Sequence, residues 1–432
     1  MPAPSSSGGA GMGGGLRTGQ FAHCIPPPIR AIHRRVAQRV LPTVKIVTLS
    51  TYPVSHPFHG GQRRLDAITR VLRGAGHEVT ALPFFFGPHY PQHTADEALT
   101  ALPGEMHGDI ARAGLREDLH MHRMLHPGVP AFDAARQRLD QIRPDALHFE
   151  QPWLLPLLEA LLDGLPEAER PAVVYGSQNI ESVLVPERFR DETDALEQAA
   201  TRHADMVVAV SAADAQVLEG WRAPGQGAPV VVAPNGCWPP ALDTGAPRPI
   251  AEDYLMLAGS GHGPNAEGYW DVIGRIPGCI PPDGRLAVVG GVGDLLRADT
   301  RFRHFRKLND HLVQITGRVE EDVLQALLTH AKGICLPIKS GGGTNLKTAE
   351  ALLSLKPVIA MRPAFRGFEE AMSLGGVHVG ETETEFRAHV RALFAGQLTG
   401  TRVAEDVARY TWDATLADLA PAYARLIPAA RL

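Results

Sequence analysis

Short and almost wholly apolar segments recur along this 432-residue chain, and stretches of helical periodicity separate them. Segments that are apolar on both faces are typical of parallel strands covered by helices on each side of a sheet. The first series comprises Lys45–Ser50, Glu78–Leu82, Ala146–Phe149, Ala172–Tyr175, Met206–Val210 and Val230–Ala233. The second comprises Tyr254–Ala258, Leu286–Val289, Leu312–Ile315, Gly333–Pro337 and Val358–Ala360. We therefore predict an α/β protein with two tandem Rossmann-like parallel-sheet domains.

The first 43 residues are rich in Gly, Ser and Pro, and they have too few apolar side chains to offset the entropy of ordering. We predict a flexible extension. Between positions 30 and 40, four arginines are interspersed with aliphatic residues, which is compatible with a short basic helix that touches an anionic membrane surface. An unstructured extension fits the same residues equally well.

Composition argues against several classes of protein. The net charge is −5 and no basic stripe dominates, so nucleic acid is not an expected partner. The chain lacks an apolar run of ~18 residues, and its first 20 positions lack the apolar core of a signal peptide. The four cysteines are scattered without CxxC or metal-type spacing, which predicts reduced thiols: Cys24, Cys237, Cys279 and Cys335. We expect a cytoplasmic protein, with peripheral membrane contact as an alternative.

A glycine-rich turn at positions 341–343 connects a predicted strand to a predicted helix. Glycines let the backbone approach a ligand closely, and the first helical turn, near Thr344 and Asn345, offers free N–H groups. An anion is favoured there because of the helix dipole and the charge of Lys347. Glu350 falls on the same helix face and can accept hydrogen bonds from neutral hydroxyls such as those of a ribose. The segment predicts a nucleoside diphosphate site.

The alternative interpretation is a tight connection with a solvated Lys347–Glu350 pair. The segment lacks the Gly-Lys-Ser/Thr of a Walker loop, and it does not fit the dinucleotide fingerprint. Two further glycine clusters, at 259–263 and 290–293, also miss that fingerprint, so NAD binding is disfavoured.

Five distinctive loops each follow a predicted strand. Ligands of open α/β sheets bind outside the carboxyl ends of the strands. Two facing domains would therefore gather these loops in one cleft: Gly60–Gly61, Glu150–Trp153, Ser177–Glu181, Gly259–Asn265 and Ser340–Lys347.

In this order, the landmarks after residue 44 resemble the retaining nucleotide-sugar glycosyltransferases of the GT-B fold, in particular glycosyltransferase family 4, or group 1. Besides the two glycine-rich loops, they include Asp205–Ser211, Pro234–Gly236, Gly317–Val319, Pro357–Ile359 and Tyr410–Trp412. The resemblance implies an acceptor-side domain at 44–238 and a nucleotide-sugar-binding domain at 239–410. It also implies a terminal helix at 411–432 that returns to the first domain.

The resemblance further implies transfer with retention of anomeric configuration and without a metal ion. Lys347 would neutralise the departing diphosphate, and Glu350 would bind the ribose; we treat both as catalytic candidates. The remaining donor-binding candidates are Gly342, Gly343, Thr344, Asn345, His262 and Asn265. On the acceptor side, or elsewhere in the cleft, the candidates are Gly60, Gly61, Arg63, Gln178, Asn179 and Glu181.

The chain departs from the family pattern at three positions. Gly342 stands where many members have the first of two glutamates. His262 and Asn265 occupy a loop that often carries a Lys or Arg, so His262, or Arg63 and Arg64 from across the cleft, could assist Lys347. Gln178 stands where a histidine is common, so the chain departs from the family pattern at a position beside the predicted cleft.

Three further features have competing interpretations. His120, His122 and His126 have spacing compatible with a metal site, but surface histidines are the more frequent explanation, and we assign no metal. The Phe84–Phe86 run, followed by Pro88, Tyr90 and Pro91, suits either an apolar acceptor wall for a lipid carrier or a strand end in the core. Glu181 suits acceptor recognition or a helix start.

The sequence thus predicts a glycosyltransferase that moves a sugar from a nucleotide diphosphate donor to a glycan or lipid-linked acceptor, in polysaccharide or glycoconjugate biosynthesis. No cofactor is expected. The alternatives are a sugar-nucleotide epimerase of the same fold and a non-catalytic nucleotide-sugar-binding subunit.

Overall fold

A computed structural model describes residues 42–222, 229–340, 344–398 and 400–427. Six parallel strands form the first sheet, in the order β2-β1-β5-β6-β7-β8. They are β1 (Lys45–Ser50), β2 (Glu78–Pro83), β5 (Ala146–Glu150), β6 (Ala172–Gly176), β7 (Met206–Ala209) and β8 (Val230–Val232). Two short strands, β3 (Phe85–Phe86) and β4 (Ala101–Leu102), pair separately.

The second sheet is also parallel and has the order β11-β10-β9-β12-β13-β14. Its strands are β9 (Asp253–Ala258), β10 (Gly284–Val289), β11 (Val313–Gly317), β12 (Gly333–Leu336), β13 (Val358–Met361) and β14 (Val377–Gly380). The strand order reverses direction between β1 and β5 in the first sheet, and between β9 and β12 in the second. Such switch points are where open α/β sheets bind ligands.

Helices connect the strands in both halves of the chain. Those around the first sheet are α1 (Gly60–Gly74), α2 (Gly104–Arg112), α3 (Glu117–His120), α4 (Pro130–Ile142), α5 (Leu155–Leu162), α6 (Arg190–His203) and α7 (Ala212–Gly220). Those around the second are α8 (Gly263–Gly268), α9 (Val292–Ala298), α10 (Thr300–His304), α11 (Arg306–Leu312), α12 (Glu321–His330), α13 (Leu346–Leu353), α14 (Glu383–Phe394) and α15 (Ala404–Val407). The chain ends with α16 (Trp412–Thr415) and α17 (Leu419–Leu426).

Successive side chains of each strand point to opposite faces of the sheet. Apolar side chains are buried on both faces of both sheets. In β1, Val47 and Leu49 pack into one apolar cluster, whereas Ile46 packs into the cluster on the other face. In β9, Leu257 and Met256 divide between two clusters in the same way. Each such side chain stabilises the fold by roughly 1.5–3 kcal/mol, which explains why the segments are continuously apolar.

The end of the chain packs against the first sheet. Trp412 and Tyr423 share an apolar cluster with Ile46 of β1. The backbone of Cys237, in the segment after β8, bonds on both sides of Thr411: its N–H donates to Tyr410, and its carbonyl accepts from Trp412. The neighbouring Gly236 has no room for a side chain, because a Cβ atom there would lie 2.9 Å from this backbone.

The predicted alternation of strands and helices in two parallel sheets is confirmed. Three strands were missed. β3 and β4 have only two residues each, and β14 is an edge strand whose residues are mostly only half-buried and therefore give a weak apolar signal. The acceptor-wall interpretation is wrong for Phe84–Phe86, since all three rings are fully buried in the core, whereas Tyr90 lines a cavity. The predicted basic helix before residue 41 lies outside the described residues. In the part of the chain that is described, no helix has both the length and the apolar character needed to cross a membrane.

Candidate functional site

The switch point between β9 and β12 brings together predicted diphosphate-binding residues from two loops. Lys347, in the first turn of α13, donates from Nζ to Oδ1 of Asn265 over 3.0 Å. Asn265 lies on α8, after β9, and its Nδ2 donates to the carbonyl of Ser260 over 2.9 Å. The amide therefore holds the lysine at the carboxyl ends of the two strands.

The electrostatics at this switch point favour an anion. Burial lowers the pKa of Lys347, and the charge of Arg63 lowers it further against the opposing influence of Glu350. Partial burial and then the charge of Lys347 lower the pKa of His262, the residue preceding α8. A negative ligand would reverse these shifts because it would stabilise the charged forms.

Glu350, the predicted ribose ligand, forms an ion pair with Arg63 on α1. The two side chains are 30% and 40% exposed, so solvent screens the pair and its contribution to stability is small. Its importance is positional. The pair places Arg63, a cation of the first domain, beside α13, the helix that carries Lys347. The two domains therefore meet at the predicted donor site.

Thr344 and Asn345 have structural partners at the start of α13. Asn345 caps the helix, because its side chain accepts from the N–H of Lys347 over 3.3 Å. The hydroxyl of Thr344 accepts from the N–H of Asn235 over 3.2 Å, and its carbonyl accepts from the Asn235 side chain over 3.1 Å. Thr344 thereby joins the second domain to the segment after β8. Gly342 and Gly343 lie outside the described residues.

The suggestion that Arg64 assists the diphosphate from across the cleft is wrong. Its guanidinium is buried and donates to the carbonyl of Ala233 over 2.8 Å and to Oδ1 of Asn235 over 3.2 Å. Because Arg63 and Arg64 are adjacent on α1, they face different sides of the helix. Only Arg63 reaches α13.

Gly60 and Gly61 begin α1, where neighbouring side chains leave little space. A Cβ atom on Gly61 would lie 2.7 Å from the hydroxyl of Tyr52 and 2.9 Å from Oε1 of Gln178. A Cβ atom on Gly60 would lie 3.1 Å from Leu346 of α13. The absence of side chains therefore lets α1 approach both the end of β1 and the second domain.

Gln178 belongs to a buried polar chain within the first domain. Its Nε2 donates to the hydroxyl of Tyr52 and, over 2.7 Å, to Oε2 of Glu150. On the far side of Glu150, Oε1 lies 3.0 Å from Nε2 of His148, whose Nδ1 is hydrogen-bonded to the hydroxyl of Tyr423 at 2.5 Å. Burial alone raises the pKa of Glu150, but its bond to His148 and the nearby charges outweigh burial and lower it. This series of polar side chains connects α17 to the switch point of the first sheet.

Asn179 and Glu181 are paired with each other, since Asn179 Nδ2 donates to Glu181 Oε1 over 3.1 Å. Burial raises the pKa of Glu181 to about 7, and the charge of Glu197 adds to the increase although the Asn179 bond opposes it. The carboxylate of Glu197 accepts from the backbone N–H groups of Glu181 and Ser182. Glu181 can therefore exchange a proton near neutral pH.

A cavity of about 390 Å³ opens at the switch point of the first sheet, and we call it the first-sheet cavity. Within it, the imidazole of His59 accepts from the N–H of Gln62 at the start of α1. Burial, with the charge of Arg63, lowers the pKa of His59 to about 4, so the ring is neutral at pH 7. The cavity is lined by Thr51, Tyr52, His59, His89, Tyr90, Arg116, Glu117, Asp118, Met121 and Gln151.

Comparison with protein families gives two matches that follow each other along the chain. The model of "Glycosyltransferase Family 4" matches residues 58–237, and that of "Glycosyl transferases group 1" matches residues 252–396. The chain belongs to the family 4, group 1 glycosyltransferases. The two matches correspond to the two parallel sheets of this glycosyltransferase. The predicted family and the GT-B fold are confirmed.

Solved structures similar to this glycosyltransferase share its two-sheet architecture. Sucrose-phosphate synthase from Thermosynechococcus elongatus is 18% identical over 88% of this chain and 99% of its own, with a TM-score of 0.63. Anabaena HepE in complex with UDP-glucose is 16% identical over 88% and 98%, with a TM-score of 0.57. Trehalose 6-phosphate synthase from Burkholderia multivorans is 13% identical over 90% and 100%, with a TM-score of 0.56. No curated protein sequence matches the glycosyltransferase.

Sequence reasoning missed most of the residues that shape the first-sheet cavity of this glycosyltransferase, although Gln151 belongs to the predicted cleft loop Glu150–Trp153. Tyr52 had a usable signal, because it lies two residues beyond β1, where strand-end ligands are expected. Arg116 and Glu117 had none, because they lie in the long connection between β2 and β5 and reach the cavity only through tertiary folding.

Proposed function

We propose that this glycosyltransferase transfers a sugar, with retention of anomeric configuration, from a nucleoside diphosphate donor to a hydroxyl of a glycan or lipid-linked acceptor. The observation that carries the proposal is Lys347, a half-buried cation at a switch point with a lowered pKa. Its Nζ is held by a neutral amide, and Arg63 lies near it. This arrangement suits a diphosphate. HepE, which shares the fold, was solved with UDP-glucose.

In the proposed reaction, the bond between the anomeric carbon and the diphosphate oxygen breaks, and negative charge develops on the diphosphate. Lys347 and the amino-terminal turn of α13 stabilise that charge, which is usually the largest contribution to catalysis. The acceptor hydroxyl attacks from the same face of the sugar. Its proton passes to the departing diphosphate, so the step balances without a metal ion.

The acceptor is proposed to occupy the first-sheet cavity. The cavity lies at the carboxyl ends of β1 and β5, and Arg63 follows the cavity residue His59 by one turn of α1. His59, Tyr90 and Asp118 offer hydrogen-bonding groups of the kind that recognise sugar hydroxyls. A role in polysaccharide or glycoconjugate assembly, in the cytoplasm or at a membrane surface, belongs to the same proposal.

Binding of the donor requires Glu350 to exchange its hydrogen-bonding partner. We propose that the ribose hydroxyls replace Arg63 as partners of Glu350 and that Arg63 turns toward the diphosphate. Glu350→Ala is then expected to weaken binding of ribonucleotides by roughly 10-fold, since it removes hydrogen bonds to a charged group. Glu383→Ala, an exposed glutamate on α14 that pairs with Lys339, provides the control. Unchanged ribonucleotide affinity in Glu350→Ala would remove the ribose assignment.

The donor is tested by thermal shift with UDP, GDP, ADP, TDP and CMP and with their sugar conjugates. A ligand at 100 times its dissociation constant stabilises the native state by about 2.7 kcal/mol, which a melting curve resolves. One base is expected to give a clear shift. Absence of any shift would contradict the nucleotide site.

Stereochemistry and chemistry are tested with the donor so identified. Proton NMR of the purified product is expected to show the donor's anomeric configuration in the acceptor-linked sugar. An inverted product would contradict retention. Isomerisation of the donor without transfer would indicate an epimerase, and binding without turnover would indicate a non-catalytic subunit.

A further inference from the structure

Two histidines and a glutamate converge beside the first-sheet cavity, from three separate elements between β2 and β5. His89 ends the short helix Gly87–His89, His107 lies on α2, and Glu117 begins α3. These positions are up to 28 residues apart in the chain. They differ from the histidines that sequence spacing singled out.

The carboxylate of Glu117 lies between the two imidazoles. Its Oε1 is 3.1 Å from Nδ1 of His89, and its Oε2 is 3.1 Å from Nε2 of His107. One ligating atom from each residue can be chosen so that all three lie within 4.8 Å of one another. Ligands of a tetrahedral Zn²⁺ with bonds of ~2.0–2.1 Å are about 3.4 Å apart, so modest side-chain rotation suffices.

A buried ring supports both histidines. The ring of Phe86 is fully buried, and its centroid lies 6.2 Å from that of His89 and 5.5 Å from that of His107. The two imidazoles themselves meet edge to face, with centroids 4.6 Å apart. Because this packing limits the rings to small rotations, part of the entropy cost of ordering the ligands for an ion is already met by the fold.

Two of the three histidines that sequence spacing singled out, His120 and His126, have other partners. His120 is buried and contacts the backbone of Arg116 through Nδ1 and the carboxylate of Glu192 through Nε2. His126 is exposed, and its Nδ1 contacts the carbonyl of Pro127. These two rings are therefore engaged separately.

We propose that His89, His107 and Glu117 bind one divalent transition-metal ion, with Zn²⁺ as the ion that this ligand set suits best. Two imidazoles and a carboxylate leave one coordination position of a tetrahedral ion for water, and such ligands favour Zn²⁺ over Mg²⁺. The ion would connect the Gly87–His89 helix, α2 and α3. Since His89 and Glu117 line the first-sheet cavity, the ion would fix one wall of that cavity. This site is independent of the proposed donor chemistry, for which no metal is invoked.

The test uses the full chain after treatment with a chelator and buffer exchange. Titration with ZnSO₄ and elemental analysis of the desalted protein are expected to give one ion per chain. Titration with Co²⁺ is expected to give the visible d–d absorption of a tetrahedral site. MgCl₂ at the same concentrations should have no effect on melting temperature, whereas Zn²⁺ should raise it.

His107→Ala and Glu117→Gln are expected to weaken Zn²⁺ binding at least ~10-fold, because each removes one of three protein ligands. His126→Ala is the matched control, and its stoichiometry should equal that of the unaltered chain. Equal Zn²⁺ binding in His107→Ala and the unaltered chain would overturn the proposal. If the variants fail to fold, the unaltered chain still decides, because the absence of a Zn²⁺-specific shift and of stoichiometric retention would overturn it as well.

Discussion

At the residue scale, the chemistry of the candidate site depends on charges that the fold keeps partly away from water. Lys347 and Glu181 represent two opposite cases. Burial disfavours the charged form of both groups, so it lowers the pKa of the lysine and raises that of the glutamate. The lysine is suited to an anionic ligand, whereas the glutamate exchanges a proton near neutral pH.

Lys347→Ala is expected to weaken binding of the nucleoside diphosphate by roughly 10- to 100-fold, the range associated with a hydrogen bond to a charged group. Binding of the corresponding nucleoside should change little, because the nucleoside has no phosphate. Isothermal titration of both ligands measures the difference. Lys332→Ala, at the opposite end of β12, is the control. An equal loss for nucleoside and nucleoside diphosphate would be incompatible with the assigned role.

Glu181 is expected to make stability depend on pH. Its pKa of about 7 in the folded state exceeds the unfolded value of ~4.3, so the folded state binds more protons between these values. The contribution of the protonated carboxyl is complete below pH ~4.3 and is lost as pH rises to about 7, by roughly 4 kcal/mol in total. Urea unfolding at pH 5 and pH 8 should therefore show a smaller loss of stability in Glu181→Gln than in the unaltered chain.

Glu187→Gln, an exposed change in the same segment, should retain the full pH dependence. If Glu181→Gln and the unaltered chain lost the same stability between pH 5 and pH 8, another group would have to carry the dependence.

At the scale of elements, α1 is the helix on which the site most depends. It places His59 beside the first-sheet cavity, Arg63 against α13, and Arg64 in the core behind them. Its glycine start is a requirement of packing. Helix propensity alone would disfavour two glycines at this position.

Gly61→Ala is expected to destabilise the protein by about 1–2 kcal/mol, because its Cβ would force Tyr52 or Gln178 out of their shared hydrogen bond. Gly74→Ala at the end of the same helix is the matched control, since a Cβ there has nothing within 4 Å. The control should be neutral or slightly stabilising. Denaturant unfolding compares the two, and equal stability of both variants would show that the close approach at Gly61 is readily relieved.

At the scale of the whole molecule, the last two described helices pack against the first sheet. Helices α16 and α17 cover the face of the first sheet that includes Ile46, after the chain has completed the second domain. Tyr423 also ends the buried polar chain that runs through His148 and Glu150 to Gln178. The terminal helix thus contacts the first-sheet cavity indirectly, because Gln178 donates to the cavity residue Tyr52.

Tyr423→Phe is expected to cost about 1–3 kcal/mol of unfolding free energy, because it leaves Nδ1 of the buried His148 without its hydroxyl partner. Arg425→Ala, an exposed change on the same helix, should have little effect. Chemical denaturation followed by circular dichroism measures both. A Tyr423→Phe variant as stable as the unaltered chain would indicate that water replaces the hydroxyl.

The sequence by itself determined the two parallel sheets and the order of their elements. The side chains of continuously apolar strands are buried only when helices cover both faces of the sheet. This requirement appears in the sequence as a local, periodic pattern. It also determined that Lys347 and Glu350 share one helix face close to a glycine turn, since four residues span about one turn. The family followed from the order of such landmarks.

Only the tertiary structure decided which side chains meet between segments far apart in the chain. The Arg63–Glu350 pair joins positions separated by 287 residues, and the Tyr423–His148 bond joins positions separated by 275. The cluster of His89, His107 and Glu117 depends on how the two histidines pack against Phe86 and on how α3 brings Glu117 to them. Such contacts leave no periodic pattern in the sequence, because they are determined by the docking of whole elements.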